Sequence, residues 1–169
     1  SLDDWNWVLG VNLWGVIHGM EAFLPGMLAH GQEAHVVNTA SMNGIFPSAH
    51  SAMYSTSKYA LLGLSETFAN ELKGTRIGIS VLCPASVATR IHESERNRPE
   101  ALKPPPPATA HEPSSSFDIS PPVEPEAVAE MVLHGIRHKQ MHIFTDMKVK
   151  PIIEARHQKM MAEFDRLAE

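Results

Sequence analysis

A chain of 169 residues, 43% of them apolar, has the length of one domain and enough apolar residues for a core. Its net charge of −5 argues against a nucleic-acid surface or adhesion to an anionic membrane. The single cysteine, Cys83, leaves no disulfide framework. No unbroken apolar run reaches the roughly 18 residues of a spanning helix, and no leader-like start is visible, so a cytoplasmic setting is expected.

In chain order, Ser1-x-x-Asp4 has the form of a capping box. Apolar residues then recur from Trp5 through Val8, Leu13, Val16, Met20 and Leu24 to Leu28, which predicts one long helix stopped near Gly31. Asn12 interrupts that stripe, and a buried amide needs partners; without a catalytic duty it would be a helix-kinking core amide. Residues 35–41 (HVVNTAS) predict a short buried strand with Ser41 at its carboxyl end, where ligands bind in open α/β sheets. Asn38 within it is expected to be structural. A polar loop over 42–52 leads to a helix from about Ser51 to Leu72, with Leu61, Leu64, Phe68 and Leu72 on one face. Arg76 to Cys83 is β-branched and strand-like, and Pro84 ends it.

Residues 91–125 change character. Pro99, Pro104 to Pro107, Pro113, Pro121, Pro122 and Pro125 exclude a continuous helix there. Composition alone suggests a disordered linker. Pro125 opens a third helix, with Glu126 and Glu130 near its start and Val128, Met131, Val132 and Ile136 as its stripe. His142 to Thr145 reads as a last strand, and a final amphipathic helix runs from Pro151 to about Leu167.

The chemistry concentrates in Tyr54-Ser55-Thr56-Ser57-Lys58. Tyr54 and Lys58, at i and i+4, share a helix face about 5–6 Å apart at Cβ. A nearby cation favours the phenolate and lowers the tyrosine pKa from about 10 towards working pH, which suits an acid/base. Ser41, brought to the same place, would hold a substrate oxygen. Together these residues suit moving a proton on or off an alcohol or carbonyl oxygen.

Asn12 in VNLWGVIHG, Ser41 closing VVNTAS, YSTSK, and VLCPASVAT resemble, in order and spacing, the short-chain dehydrogenase/reductase family. The likeness is specific over about 1–90 and looser to about 145. It implies an α/β fold: the C-terminal part of a doubly wound, three-layer Rossmann-type domain with a parallel sheet. On that likeness residues 1–169 are one partial domain. Its catalytic part covers about 1–90, a Pro-rich substrate-loop region about 91–125, and a helix-strand-helix about 126–169. No glycine-rich G-x-x-x-G-x-G or G-x-G-x-x-G turn occurs, so about 80–100 residues of a dinucleotide-binding half are expected before Ser1.

The resemblance implies roles. Tyr54 is the acid/base. Lys58 tunes it and holds the nicotinamide ribose. Ser41 binds the substrate oxygen, and Asn12 fixes a water that links Lys58 to solvent. Pro84, Ala85, Val87 and Thr89 form the loop against the nicotinamide; the family usually has glycine where Ala85 stands, which matters if that position needs φ > 0. The implied cofactor is NAD or NADP, and the implied substrate a small-molecule secondary alcohol or ketone. A homodimer or homotetramer through the helices at about 2–29 and 51–72 is implied too, with Trp7, Trp14 and Phe68 as candidate interface residues. The chain by itself is expected to be inactive. The alternatives are a non-enzymatic remnant or dimerisation module, and an epimerase or dehydratase using the same tyrosine. No metal is expected. His134 and His138 stand at i and i+4, but H-E-x-x-H is absent and no third ligand is evident.

Overall fold

A computed structural model describes residues 1–103 and 120–168. The middle of the Pro-rich region, with Pro104 to Pro107 and Pro113, lies outside the described residues, and so does the choice between linker and substrate loop.

The first helix starts as its sequence implies. The Ser1 hydroxyl accepts from the Asp4 N–H at 3.2 Å, and the Asp4 carboxylate takes the Ser1 amino group at 2.6 Å. Helix α1 (Leu2–Leu9) runs into α2 (Gly15–His30) through a π-helical turn, Gly10–Trp14, where the Gly15 N–H reaches back to the Gly10 carbonyl. A turn of this kind widens a helix locally and recurs at functional sites. Gly31, at φ 66°, ends the helix in the left-handed region that glycine tolerates. By length and composition the 29-residue helix Leu2–His30 is able to cross a membrane. Counting unbroken apolar runs missed this, because a window average tolerates the single polar residues that break a run. One side of the helix, with Met20 and Leu24, packs against Leu72, Ile77 and Ile79.

Strand β1 (Ala34–Thr39), helix α3 (Ala52–Glu71), strand β2 (Ile77–Cys83), helix α4 (Pro125–Arg137), strand β3 (His142–Phe144) and helix α5 (Lys150–Asp165) follow. The three strands form a parallel sheet in the order β1-β2-β3, with Ala34 opposite Ile77 and Val81 opposite His142. The side-chain period of two sorts β2 between layers. Ile77, Ile79, Val81 and Cys83 face α2 and α3, while Leu82 packs with Val128 of α4 and Ile143. This is a Rossmann-like α/β arrangement of helix layer, parallel sheet and helix layer. Burying both faces explains the nearly continuous apolar run of β2.

Strand β1 stops at Thr39, two residues short of Ser41, and the backbone holds the connection in place. Ala40 N–H donates to the Leu82 carbonyl at 2.8 Å, and Met42 N–H to the Pro84 carbonyl at 3.0 Å. Ser41 is thus clamped at the carboxyl end of the sheet. On the surface of the first helix Val11, Trp14 and Phe23 are exposed. Trp7 is covered by the Arg98 guanidinium, 4.8 Å from its ring, and Phe68 packs beside Leu72 and Ile77.

Candidate active site

Ser41 sits between β1 and a 3-10 turn, Met42–Gly44, with extended backbone at φ −175°. Its hydroxyl accepts from the Asn43 N–H at 3.2 Å. The turn lies hard against α3. A Cβ on Gly44 would stand 2.6 Å from the Lys58 carbonyl oxygen, so only glycine fits. The rest of the loop is pinned to α3 by side chains. The Tyr59 hydroxyl donates to the Ile45 carbonyl, and Ser48, Ser51 and Ser55 join hydroxyl to hydroxyl at 2.8 Å each.

Tyr54 and Lys58 fall in the first two turns of α3. The Ser41 hydroxyl lies close enough to the Tyr54 phenol to favour its ionised form. Lys58 Nζ lies 5.6 Å from the centre of the Tyr54 ring and donates to the Thr39 carbonyl at 2.9 Å. The same ammonium therefore touches the last peptide of β1 and the face of the phenol. Burial pulls the Lys58 pKa down to about 8, opposed weakly by Cys83. Burial pushes the Tyr54 phenol up, while the neighbouring Ser41 hydroxyl pulls it down. The net direction is upward, against the lowering expected from Lys58 alone. A phenol out of water resists ionisation, and the Lys58 ammonium beside it is itself destabilised by burial. Cys83, fully buried beside them, is pushed up to about 12, first by burial and then by Glu66.

Asn12 lies in the π-helical turn, and its side chain crosses to α3. Its Nδ2 donates to the Ser57 hydroxyl at 3.1 Å, and that hydroxyl donates to the Tyr54 carbonyl at 2.7 Å. The Asn12 amide, expected to be buried, is part-buried, and its partner is a serine one position before Lys58.

Residues 84–89 leave the end of β2 beside this cluster. Ala85 N–H donates to the Thr145 hydroxyl at 3.0 Å. Val87 bridges Val123, and Ala88 N–H donates to the Val123 carbonyl at 2.9 Å. Positive φ at non-glycine residues is confined, among the described residues, to His50 and Lys139. Ala85 therefore carries no left-handed strain in place of glycine. Downstream, nearly buried Arg98 pairs with Asp4 and Glu95, tying the segment after the loop to the first turn of α1.

Sequence reasoning missed Ser57, Thr39, Thr145 and Arg98. Ser57 stood inside YSTSK and was the one of these with a signal, since it follows Tyr54 by one helical turn. The imidazoles of His134 and His138 stack at 3.9 Å. No group of three metal-capable side chains gathers among the described residues.

The short chain dehydrogenase family model matches residues 1–100. A C alpha-dehydrogenase from Sphingobium sp. is 33% identical over 160 residues, covering 94% of this chain and 52% of that protein. A 1-deoxy-11-beta-hydroxypentalenate dehydrogenase from Streptomyces avermitilis is 40% identical over 88 residues, 52% of this chain and 33% of that protein. The chain thus spans about half the length, or less, of these curated relatives. Among solved structures, a short chain dehydrogenase/reductase from Burkholderia phymatum in complex with NAD superposes with a TM-score of 0.85. That protein is 34% identical, and the match covers 96% of this chain and 60% of that one.

Proposed function

Because this chain belongs to the short-chain dehydrogenase family, we propose that the protein containing it is an NAD(P)-dependent oxidoreductase acting on a secondary alcohol or ketone. The observation that carries this is the convergence of three groups from two elements. The Ser41 hydroxyl lies beside the Tyr54 phenol and pulls its pKa down, and the Lys58 ammonium stands 5.6 Å from the centre of the same ring. Helix decoration would not bring a strand-end serine to a buried tyrosine.

The residues present suit the nicotinamide end of a dinucleotide. Lys58 offers three N–H donors, of which the Thr39 carbonyl takes one. The backbone of 84–89, held by Thr145 and Val123, makes a fixed wall at the carboxyl edge of the sheet. Tyr54, Lys58, Pro84, Ala85, Val87 and Thr89 are the residues proposed to hold that end. The glycine-rich turn for the pyrophosphate is not among these 169 residues, and the isolated chain is accordingly proposed to be inactive. The NAD complex of the related Burkholderia phymatum protein supports the cofactor class.

The nicotinamide, when bound, supplies or accepts the hydride. The chain manages the oxygen. In reduction Ser41 donates to the carbonyl oxygen, and the Tyr54 O–H delivers its proton as negative charge grows there. Burial favours this direction, since it keeps Tyr54 protonated. In oxidation the phenolate takes the hydroxyl proton, stabilised by Lys58 and by the neighbouring Ser41 hydroxyl. Asn12 is assigned to holding the geometry of this pair from α1–α2. The exposed Val11, Trp14 and Phe23 support association of copies through the first helix and α3, and a cytoplasmic setting fits this chemistry.

The test is turnover. The complete protein is incubated with alcohols and NAD+ or NADP+, and with ketones and NADH or NADPH, and absorbance at the nicotinamide band is followed. Turnover is expected with one cofactor. Its absence across a broad panel, or turnover by the isolated 169 residues, contradicts the proposal.

A further inference from the structure

Ser57 is fully buried, with none of its surface exposed, on the face of α3 that meets the π-helical turn of the first helix. A hydroxyl has one proton to give. Ser57 gives it to the Tyr54 carbonyl at 2.7 Å and accepts the Asn12 amide proton at 3.1 Å. The α-helix places the Lys58 N–H on that same Tyr54 carbonyl, through the i to i−4 bond. One carbonyl therefore gathers Tyr54, Ser57 and Lys58, and through Ser57 it is linked to Asn12 on the first helix.

A serine that bonds back to a carbonyl one turn earlier is ordinary in helices and tends to bend them. Two features set this one apart. It is fully buried with both its donor and its acceptor used. Its second partner also lies 45 residues away, in the π-helical turn that joins α1 to α2. A π turn is a stored irregularity, and here it aims an amide at the catalytic helix.

We infer that Ser57 is a positioning residue, the coupling through which Asn12 and the π turn hold Tyr54 and Lys58 in register. This rests on the assignment of Tyr54 and Lys58 made above and extends it. Asn12 acts, in this arrangement, through a direct side-chain bond to α3. Without the Ser57 hydroxyl, the Asn12 amide has no partner on α3 and the Tyr54–Lys58 turn is free to relax. Misplacement of reacting groups by about 1 Å is worth up to about a hundredfold in rate.

The test is a double-mutant cycle in the complete protein, with NAD+ or NADP+ and the alcohol that turns over best. Ser57→Ala removes one oxygen and adds no bulk. It is expected to lower kcat ten- to a hundredfold, with KM for alcohol and cofactor within about twofold. Asn12→Ala is expected to do the same, and the double variant to be no slower than the worse single one. Ser57→Thr, which keeps the hydroxyl, is expected to recover most of the rate. An independent readout is the Tyr54 phenol followed by NMR of ring-labelled tyrosine without cofactor, assigned from its loss in Tyr54→Phe. Its resonance is expected to shift in both single variants and by no more in the double.

Effects that multiply, a normal kcat in Ser57→Ala, or a Tyr54 resonance that moves in Asn12→Ala alone each overturn the coupling. If Ser57→Ala does not fold, Ser57→Cys reads the same cycle with a weaker donor. Tyr54→Phe in the same series separates the two levels. If it retains activity, the acid/base assignment fails; if it is dead while Ser57→Ala runs normally, only the coupling fails.

Discussion

Gly44→Ala tests how tightly the catalytic loop and helix are fitted. The new Cβ would meet the Lys58 carbonyl oxygen at 2.6 Å, the carbonyl carbon at 2.9 Å and the Lys58 Cβ at 3.4 Å. The first two contacts are with backbone, so no flexible side chain can turn away. Ordinary contact of a Cβ begins at about 3.4 Å, which asks the loop or α3 to retreat by more than half an ångström against a close-packed interior. Overpacking of this kind costs about 1–3 kcal/mol. For a domain of this size, that is a fall in Tm of several degrees. The displaced atoms belong to Lys58 itself and to the turn that Ser41 caps. A retreat of that size, applied to reacting groups, is worth about ten- to a hundredfold in kcat. The assay is thermal unfolding of the complete protein with and without cofactor, paired with steady-state kinetics. A Tm within a degree of the parent together with unchanged kcat would refute the fit described here.

Other consequences are open to direct measurement. The folded pKa of Lys58 is depressed to about 8 from 10.5, so the unfolded chain binds more protons between those values and stability rises with pH from about 8. Cys83 acts oppositely above about 9, because its folded pKa is raised to about 12 and its contribution fades as pH climbs. Urea midpoints of the cofactor-free protein should therefore rise between pH 8 and 9. Lys58→Met should abolish the rise, and a rise that survives in Lys58→Met would contradict the burial argument. Cys83 should resist iodoacetamide at pH 8 in the native protein and react in urea, as peptide mapping would show; native labelling at a comparable rate would contradict its burial. Arg98→Ala uncovers Trp7 and releases Asp4 and Glu95, so trypsin should cut after Arg90 and Arg96 several-fold faster. Unchanged cleavage would mean that other contacts hold that segment.

Much of the site was visible in the order of residues, because a helix turns i and i+4 into neighbours. Tyr54 and Lys58 needed nothing beyond that spacing. The strand–turn–helix path that brings Ser41 to them was legible from VVNTAS and the polar loop that follows. What stayed hidden depends on tertiary placement. The π turn at Gly10–Trp14 was not foreseen, because the apolar positions were read as one uninterrupted helical stripe. Asn12 announced itself by interrupting that stripe, but its partner Ser57 lies 45 residues on. The direction of the Tyr54 shift was misjudged for the same reason. Sequence shows the cation four residues away and not the depth at which both groups are buried. Ala85 was suspected from a glycine preference, and only its backbone angles relieve it. Strand β1 ended two residues before Ser41, which is held by the Ala40 and Met42 N–H bonds on either side of it and caps the turn that follows.

The central claim is that Tyr54 carries the proton while Lys58 and the 84–89 loop carry the cofactor. Tyr54→Phe removes one oxygen and leaves the packing of the ring intact, so it tests that division directly. In the complete protein, nicotinamide binding should be measured by fluorescence titration alongside turnover of the best alcohol. We expect cofactor affinity within a few-fold of the parent and turnover lower by at least about a hundredfold, the lower range for loss of a positioned acid/base. Turnover near the parent rate, with cofactor still bound, would contradict the account.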